Sequence, residues 1–249
     1  MRILSILLVG FVFALTAYSA EETTSIFNGK DLAGWEGNPE LWSVKDGVIT
    51  GITGDEPHNK LTHNTFLVWK GGDVTDFEFK CKYKLVGGNS GIQYRSKVTA
   101  WTNLLGQAKY GPRVGGYQGD FASDAMHSGI LYDEGGIAGG RGIMCGRGEK
   151  VKWNADNKKE VLGKTEKSSA ELQAAINKDD WNEYVIIANG NKLVHMINGN
   201  VTAEIIDESP KALQSGVLAL QIHAGYIMTV QFKELTLKKL AGSPVEKKN

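Results

Sequence analysis

The sequence predicts an all-β protein, a sandwich of two antiparallel sheets with one short helix. Strand-like segments are short and numerous, Gly and Asn turns separate them, and helical periodicity is almost absent. The clearest segment, Phe77 to Leu85, alternates apolar and charged residues without a break. A period of two gives a strand one core face and one wet face, which is typical of an antiparallel sheet.

The other strands follow from their turns. Trp42 to Thr50 holds Asp46-Gly47 between β-type residues, which predicts a two-residue hairpin. A three-stranded meander is predicted where Asn189-Gly190 and Asn198-Gly199 separate three apolar segments: Tyr184 to Ala188, Lys192 to Ile197 and Val201 to Ile206.

Two further strands and the helix complete the prediction. Gly216 to His223 is strand-like, and in Thr229 to Leu237 the apolar positions change phase, as a β-bulge would cause. Ser168 and Glu171 form a capping-box motif, and Leu172 and Ile176 lie one turn apart behind it, so a short helix is expected here.

The chain ends predict an exported protein. Arg2, the apolar run Ile3 to Leu15 and the small residues up to Ala20 fit a signal peptide over residues 1–20, and the run is too short to span a bilayer comfortably. We expect a periplasmic or extracellular protein with no membrane span in the mature chain. One domain over residues 21–240 is preferred to two small ones, and residues 241–249 are expected to be a flexible tail.

Charge and cysteine content limit the function further. The 28 Lys and Arg balance the 28 Asp and Glu, so no basic field indicates a nucleic-acid partner. Cys81 and Cys145 either form a disulfide, as export permits, or remain two separately buried thiols. Their spacing does not suggest a zinc site.

Three glycine-flanked segments each carry polar side chains two residues apart. These pairs are Gln93 and Arg95, Gln118 and Asp120, and Tyr132 and Glu134; Gln221 and His223 form a similar pair. Side chains two apart on a strand share a face. Ordinary solvent-facing positions would carry Lys, Glu and Thr, so this mixture predicts the floor of a polar cleft.

An ordered set of motifs resembles one family, the 3-keto-disaccharide hydrolases, which are associated with 3-keto-glucoside 1,2-lyase and 3-keto-2-hydroxyglucal hydratase activities. The motifs span roughly Ser25 to Leu240: Phe27-Asn28-Gly29-Lys30-Asp31-Leu32 with Gly34-Trp35, Asn89-Ser90-Gly91-Ile92 with Arg95, Gly116-Tyr117-Gln118, Trp181-Asn182-Glu183-Tyr184, Asn198-Gly199 and Leu220-Gln221-Ile222-His223. The resemblance implies a concanavalin A-like jelly roll with a sugar site on the concave face of one sheet. One departure is Gln118, where many relatives carry an acid; here the acid follows at Asp120, and Glu134 could supply a second.

The reaction implied by this resemblance is elimination from, or hydration of, an oxidised sugar. A 3-oxo group acidifies the hydrogen at C2, so the enzyme needs a base there, a donor or cation at the oxo group and an acid at the leaving oxygen. We expect Asp120 or His223 as the base, Arg95 as the enolate stabiliser and Glu134 or Tyr132 as the acid. The side chains expected to bind the substrate are Gln93, Gln118, Gln221, Trp101 and Tyr110.

Each of these residues also has a structural interpretation. Arg95 could only pair with Asp120 or Glu134, His223 could end a strand bonded to backbone, and Trp101 and Tyr110 could pack within their loop. Residues expected to be structural are Tyr117, His195, Trp35, Trp42 and Trp181. The histidines in loop-like sequence are His58, His63 and His127, of which His127 lies near the site segments.

Metal binding and other functions remain open at this point. Asp120, Glu134 and His223 could supply mixed ligands to a divalent ion, and Asp133 could help bind calcium in a loop. The main alternative function is a carbohydrate-binding module of the same fold without turnover. A protein-interaction module and a glycosidase with two carboxyls are further alternatives.

Overall fold

The computed structural model describes residues 22–54, 61–100 and 111–241. The expected signal segment, His58, Trp101, Tyr110 and residues 242–249 of the expected tail lie outside these residues. Within them the elements in chain order are β1 (Thr23–Ser25), β2 (Trp35–Glu36), β3 (Trp42–Lys45), β4 (Val48–Ile52), β5 (Thr65–Trp69), β6 (Phe77–Val86), β7 (Asn89–Ala100), β8 (Arg113–Ala122), β9 (Leu131–Glu134), β10 (Ile143–Cys145), β11 (Glu149–Trp153), β12 (Lys159–Lys164), α1 (Ser169–Ala174), β13 (Asn182–Asn189), β14 (Lys192–Ile197), β15 (Asn200–Asp207), β16 (Val217–Ile222) and β17 (Thr229–Lys239).

The strands form two sheets. One has the order β12-β11-β15-β14-β13-β6-β17-β4-β3, with β1 also paired to β17, and the other has the order β10-β9-β8-β7-β16-β5-β2. All named pairs in the described ranges are antiparallel except β11 with β15, which run parallel. The all-β prediction of two largely antiparallel sheets with one short helix is therefore confirmed.

The core lies between the sheets and follows the predicted alternation. On β6, Phe77, Phe79 and Cys81 are buried, whereas Lys80 is exposed and forms an ion pair with Glu183. The opposite sheet contributes large aromatic side chains, including Tyr94, Tyr117 and Phe121. Tyr117 is therefore a core residue, as expected.

Local signals in the sequence identified the turns, the bulge and the helix. Asp46 and Gly47 both have positive φ, 51° and 75°, as a two-residue hairpin turn with a primed conformation requires. The bulge in β17 lies between Lys233 and Thr236. At α1 the Ser168 side chain and Glu171 form the predicted capping box.

Two structural expectations needed the coordinates to decide. Cys81 and Cys145 are both free and buried, so the alternative of separate thiols is correct and the disulfide is not. Trp35 and Trp42 are core residues, but Trp181 is only half-buried and lies beneath the Lys233 ammonium, 4.0 Å from its ring centroid. Trp181 was wrongly expected in the core, because the strand begins one residue later, at Asn182.

Candidate active site

A polar cleft of about 270 Å³ opens on the outer face of the seven-stranded sheet. This volume is near the lower end of small-molecule pockets, roughly 300 to 1,000 Å³, so it suits one sugar ring better than a long chain. Its lining residues are Asn64, Asn89, Gln118, Asp120, Asp124, His127, Tyr132, Glu134, Gly135, His223 and Tyr226.

Strand alternation directs the expected side chains into this cleft. On β8, Tyr117 and Phe121 belong to the core, so Gln118 and Asp120 point the other way. β9 pairs with β8 so that Tyr132 lies opposite Gln118. The structure thus brings together five of the predicted residues: Gln118, Asp120, Tyr132, Glu134 and His223.

A row of buried amides forms the floor. Gln93 donates a hydrogen bond to Gln118, whose amide nitrogen lies 3.4 Å from the Gln221 side-chain oxygen. Gly91 makes room for this row, because a Cβ there would lie 2.5 Å from Gln118 Cδ. Gln221 is fully buried beneath the cleft, and its side chain lowers the pKa of Glu134 by hydrogen bonding.

Asp120 is the most buried acid of the cleft, with 4% of its surface exposed. Burial raises the pKa of its carboxyl well above the usual value, and the Glu134 charge adds to this, while the Asn89 and Gln118 amides oppose it. Within the described part of the chain, Asp120 Oδ1 has no hydrogen-bond partner. The raised pKa therefore favours the neutral form of the Asp120 carboxyl.

Several neighbouring side chains influence the pKa of Glu134, which lines the cleft. Burial raises its pKa, while a hydrogen bond from Asn64 Nδ2 at 2.9 Å and the charge of His223 oppose the rise. The cation Arg113 acts on Glu134 in the same direction as His223. The pKa of the neighbouring Tyr132 hydroxyl is also raised, mainly by burial.

His223 has a defined tautomer. Its Nδ1 lies 2.7 Å from the Ala224 carbonyl oxygen, and a carbonyl can only accept, so Nδ1 carries the hydrogen. The neutral ring therefore keeps its lone pair on Nε2. His223 does bond to backbone, as the structural interpretation expected, but it also lines the cleft.

Sequence reasoning did not assign several lining residues. Asn64, Asn89, Asp124 and Tyr226 were missed, and His127 was only left open. The Tyr226 ring is 43% exposed and packs edge-to-face on His223, with centroids 5.3 Å apart. These residues lie mostly in loops, where no periodicity indicates which way a side chain points.

Arg95 does not lie in the cleft, which corrects the expectation. Its guanidinium donates to three backbone carbonyl oxygens, at Thr75, Gly190 and Leu213. It also forms an ion pair with Asp76 at 2.9 Å, rather than with Asp120 or Glu134. The physical reason is a bulge: Arg95 has φ +47° and the β7–β8 register shifts between Tyr94 and Lys97, so the rule that alternate residues share a face fails here.

The remaining polar candidates are structural. His195 is fully buried between the sheets, where Tyr94 Oη and Tyr184 Oη contact its two nitrogens, and burial lowers its pKa to about 4. Both carboxylate oxygens of Asp133 accept backbone N–H groups, from Ala138 and Arg141. Among the described residues no three His, Cys, Asp or Glu side chains lie close enough to hold a metal ion, so Asp120, Glu134 and His223 do not form such a group.

Comparisons with known proteins agree with the fold. Residues 22–238 match the family model of the 3-keto-alpha-glucoside-1,2-lyase-like domain. Two crystal structures of candidate glycosyl hydrolases from Parabacteroides distasonis are similar, at 20% and 17% identity, each covering 88% of this chain and 94% and 100% of their own, both with a TM-score of 0.52. A Bacillus subtilis protein of unknown function with a galectin-like fold is 11% identical over 89% of this chain and 96% of its own, with a TM-score of 0.52.

At these identities the structural neighbours show the fold alone, which is a lectin-like jelly roll. No curated protein matches this chain. No helix in the described ranges is long and apolar enough to cross a membrane. Because the family model covers most of the chain, in agreement with the ordered sequence motifs, this protein belongs to the 3-keto-alpha-glucoside-1,2-lyase-like domain family and has a carbohydrate-related function.

Proposed function

We propose that this protein is an exported enzyme that eliminates the C1 substituent from 3-keto-glucosides and hydrates the resulting 3-keto-2-hydroxyglucal. The observation that carries the proposal is that the buried carboxyl of Asp120 and the imidazole of His223 line the same cleft. The family match supports the substrate class.

The base in this proposal is His223. Its Nδ1 hydrogen is engaged by the Ala224 carbonyl oxygen, so Nε2 can accept the C2 proton of the substrate. His223 and Glu134 interact electrostatically within the cleft. Asp120 is a poorer base candidate than the sequence suggested, because its raised pKa favours the protonated form, which cannot accept a second proton.

In this proposal Asp120, rather than Arg95, stabilises the enolate. Removing the C2 proton places negative charge on the 3-oxo oxygen, and a neutral carboxylic acid can donate a hydrogen bond to it. The oxygen of Asp120 without a protein partner, together with a raised pKa, suits such a donor. A preorganised donor of this kind accelerates reactions by about 10² to 10³-fold in other enzymes.

The rest of the cleft suits a sugar. Gln118 and Asn89 line the cleft with amide groups that can both donate to and accept from hydroxyls. The exposed ring of Tyr226 can stack on the CH-rich face of a pyranose. These features would equally serve a binding module, so turnover is the property that distinguishes the two functions.

The test is turnover of a 3-keto-glucoside with a chromogenic leaving group by the full mature chain. We expect release by the wild type and losses of about 10²-fold or more for His223→Ala and for Asp120→Ala, which removes the donor that asparagine would keep. Asn200→Ala, at the first residue of β15 in the other sheet, serves as the control. Sugar binding without any release would support the lectin-like alternative, and release that survives both cleft substitutions would remove these residue assignments.

A further inference from the structure

The side chain of His127, in the loop between β8 and β9, is held by a neighbouring carboxylate. Its Nδ1 lies 2.7 Å from Asp124 Oδ2, and Asp124 Oδ1 accepts the backbone N–H groups of Met126 and His127. Burial alone would raise the pKa of Asp124, but these hydrogen bonds outweigh it and the pKa lies below its usual value. Asp124 therefore accepts the Nδ1 hydrogen of His127 and fixes the Nδ1–H tautomer.

Hydrogen bonds from Arg147 and Ser128 hold the loop that carries Asp124 and His127. The Arg147 guanidinium donates to the carbonyl oxygens of Ala125, Ser128 and, on α1, Ser169, at 2.8 to 3.0 Å. The Ser128 hydroxyl also bonds both backbone groups of Ala122, at the end of β8. Such bracing keeps a side chain in one position, which proton transfer requires.

His127 and His223 line the same cleft but come from different parts of the sheet. His127 lies in the loop after β8 and His223 follows β16, with β7 between those two strands. A pyranose ring bound in this cleft could therefore meet two imidazoles from separate segments of the chain.

We propose that His127 is the catalytic acid–base at the C1 oxygen, with Asp124 and Arg147 as its positioning residues; this rests on the function proposed above. His223 Nε2 takes the C2 proton and the C2–H electron pair becomes the enolate. That pair then forms the C1–C2 double bond while the C1–O bond breaks. The leaving oxygen keeps the C1–O electrons and takes the Nε2 proton of the His127 imidazolium.

His127 and His223 can also carry out the hydration step, with water as the only added reactant. His127 is now neutral and accepts a proton from water as the water oxygen bonds to C1. His223 returns its proton to C2, which restores the 3-keto-sugar. Glu134 is less suited to the leaving oxygen, because Asn64 and His223 engage it on the His223 side of the cleft.

The test compares two leaving groups and one isotope exchange. Methyl and 4-nitrophenyl 3-keto-glucosides are given to wild type, His127→Ala and Asp124→Asn, with Asp156→Asn, an exposed loop aspartate, as the matched control. We expect His127→Ala to lower kcat/KM for the methyl substrate by about 10²-fold or more, but by less than about tenfold for the 4-nitrophenyl substrate, whose phenolate leaves without a proton. Asp124→Asn should show the same selectivity, and Asp156→Asn should not.

Exchange at C2 separates this role from the base. In D₂O, His127→Ala should still exchange the C2 hydrogen of the methyl substrate faster than buffer alone, as read by NMR, whereas His223→Ala should not. Equal losses for both leaving groups, or loss of C2 exchange in a folded His127→Ala protein, would overturn the role of His127 alone. A wild type that acts on neither substrate would instead remove the proposed function.

Discussion

Asn64 Nδ2 lies 2.9 Å from Glu134 Oε1, although three strands separate the elements that carry them. Asn64 immediately precedes β5, and Glu134 ends β9, with β8, β7 and β16 between. In a flat sheet, four strand spacings would place them about 19 Å apart. The segment before β5 and the end of β9 therefore meet across the cleft.

The first prediction concerns the pKa of Glu134, which the hydrogen bond from Asn64 influences. That hydrogen bond opposes the rise in pKa that burial causes, so Asn64→Ala should raise the Glu134 pKa further. A ¹³C NMR titration of the Glu134 carboxyl would measure the shift. Asn200→Ala, in the other sheet, should leave that titration unchanged, and an unchanged titration in Asn64→Ala would contradict the prediction.

Arg95 should behave as a structural residue. Its guanidinium connects β7 to the turn between β13 and β14 and pairs with Asp76, and only 1% of the side chain is exposed. Arg95→Ala removes the cation paired with Asp76, which keeps only the Gly190 N–H, and the side-chain donor of three carbonyl oxygens. We therefore expect a loss of about 3 to 5 kcal/mol in the free energy of unfolding. Urea unfolding measures this.

Activity completes the comparison for Arg95. At a temperature well below the unfolding transition, Arg95→Ala should retain turnover per folded molecule within about tenfold, whereas His223→Ala should fold normally and lose turnover. A stable but inactive Arg95→Ala protein would return Arg95 to the list of catalytic candidates.

The Asp120 carboxyl should lower the free energy of unfolding at neutral pH. Its pKa is higher in the folded than in the unfolded state, so the folded state binds more protons between the two values. Its contribution to stability therefore falls as pH rises from about 4 toward the folded pKa. We expect Asp120→Asn to unfold at a higher temperature than wild type at pH 8, with a smaller difference at pH 4. A variant less stable than wild type at pH 8 would contradict this.

His195 should produce the opposite pH dependence. Burial lowers its folded pKa to about 4, against 6.5 when exposed, so the unfolded state binds more protons between these values. Stability from this residue is complete above pH 6.5 and falls as pH drops toward 4, by an amount on the order of 3 kcal/mol.

His195→Gln tests this contribution. Glutamine does not titrate but can still bond Tyr94 Oη and the Ile130 carbonyl oxygen. Urea unfolding at several pH values should therefore show a flatter dependence between pH 4 and 6.5 in the variant than in wild type. An unchanged slope would mean that His195 is protonated in the folded protein.

Most of the fold could be predicted because its signals are local. The alternation in β6, the Asn-Gly turns and the capping box at Ser168 each depend on neighbouring residues only. The bulge in β17 was also visible, since the apolar positions change phase around Glu234, whose φ is +55°. The bulge at Arg95 left no such trace, because the residues after it do not alternate clearly in the sequence.

In the candidate site, too, local sequence patterns predicted some residues, and only the tertiary structure revealed the others. Regular alternation determined that Gln118 and Asp120 share a face, as do Tyr132 and Glu134, and it identified the strand that ends immediately before His223. Only the tertiary structure decided that Arg95 points into a different contact, that Asn64 reaches Glu134 and that Asp124 holds His127. Those contacts join residues far apart in the chain through loops and sheet curvature, where backbone conformation is set by long-range packing rather than by the period of the local sequence.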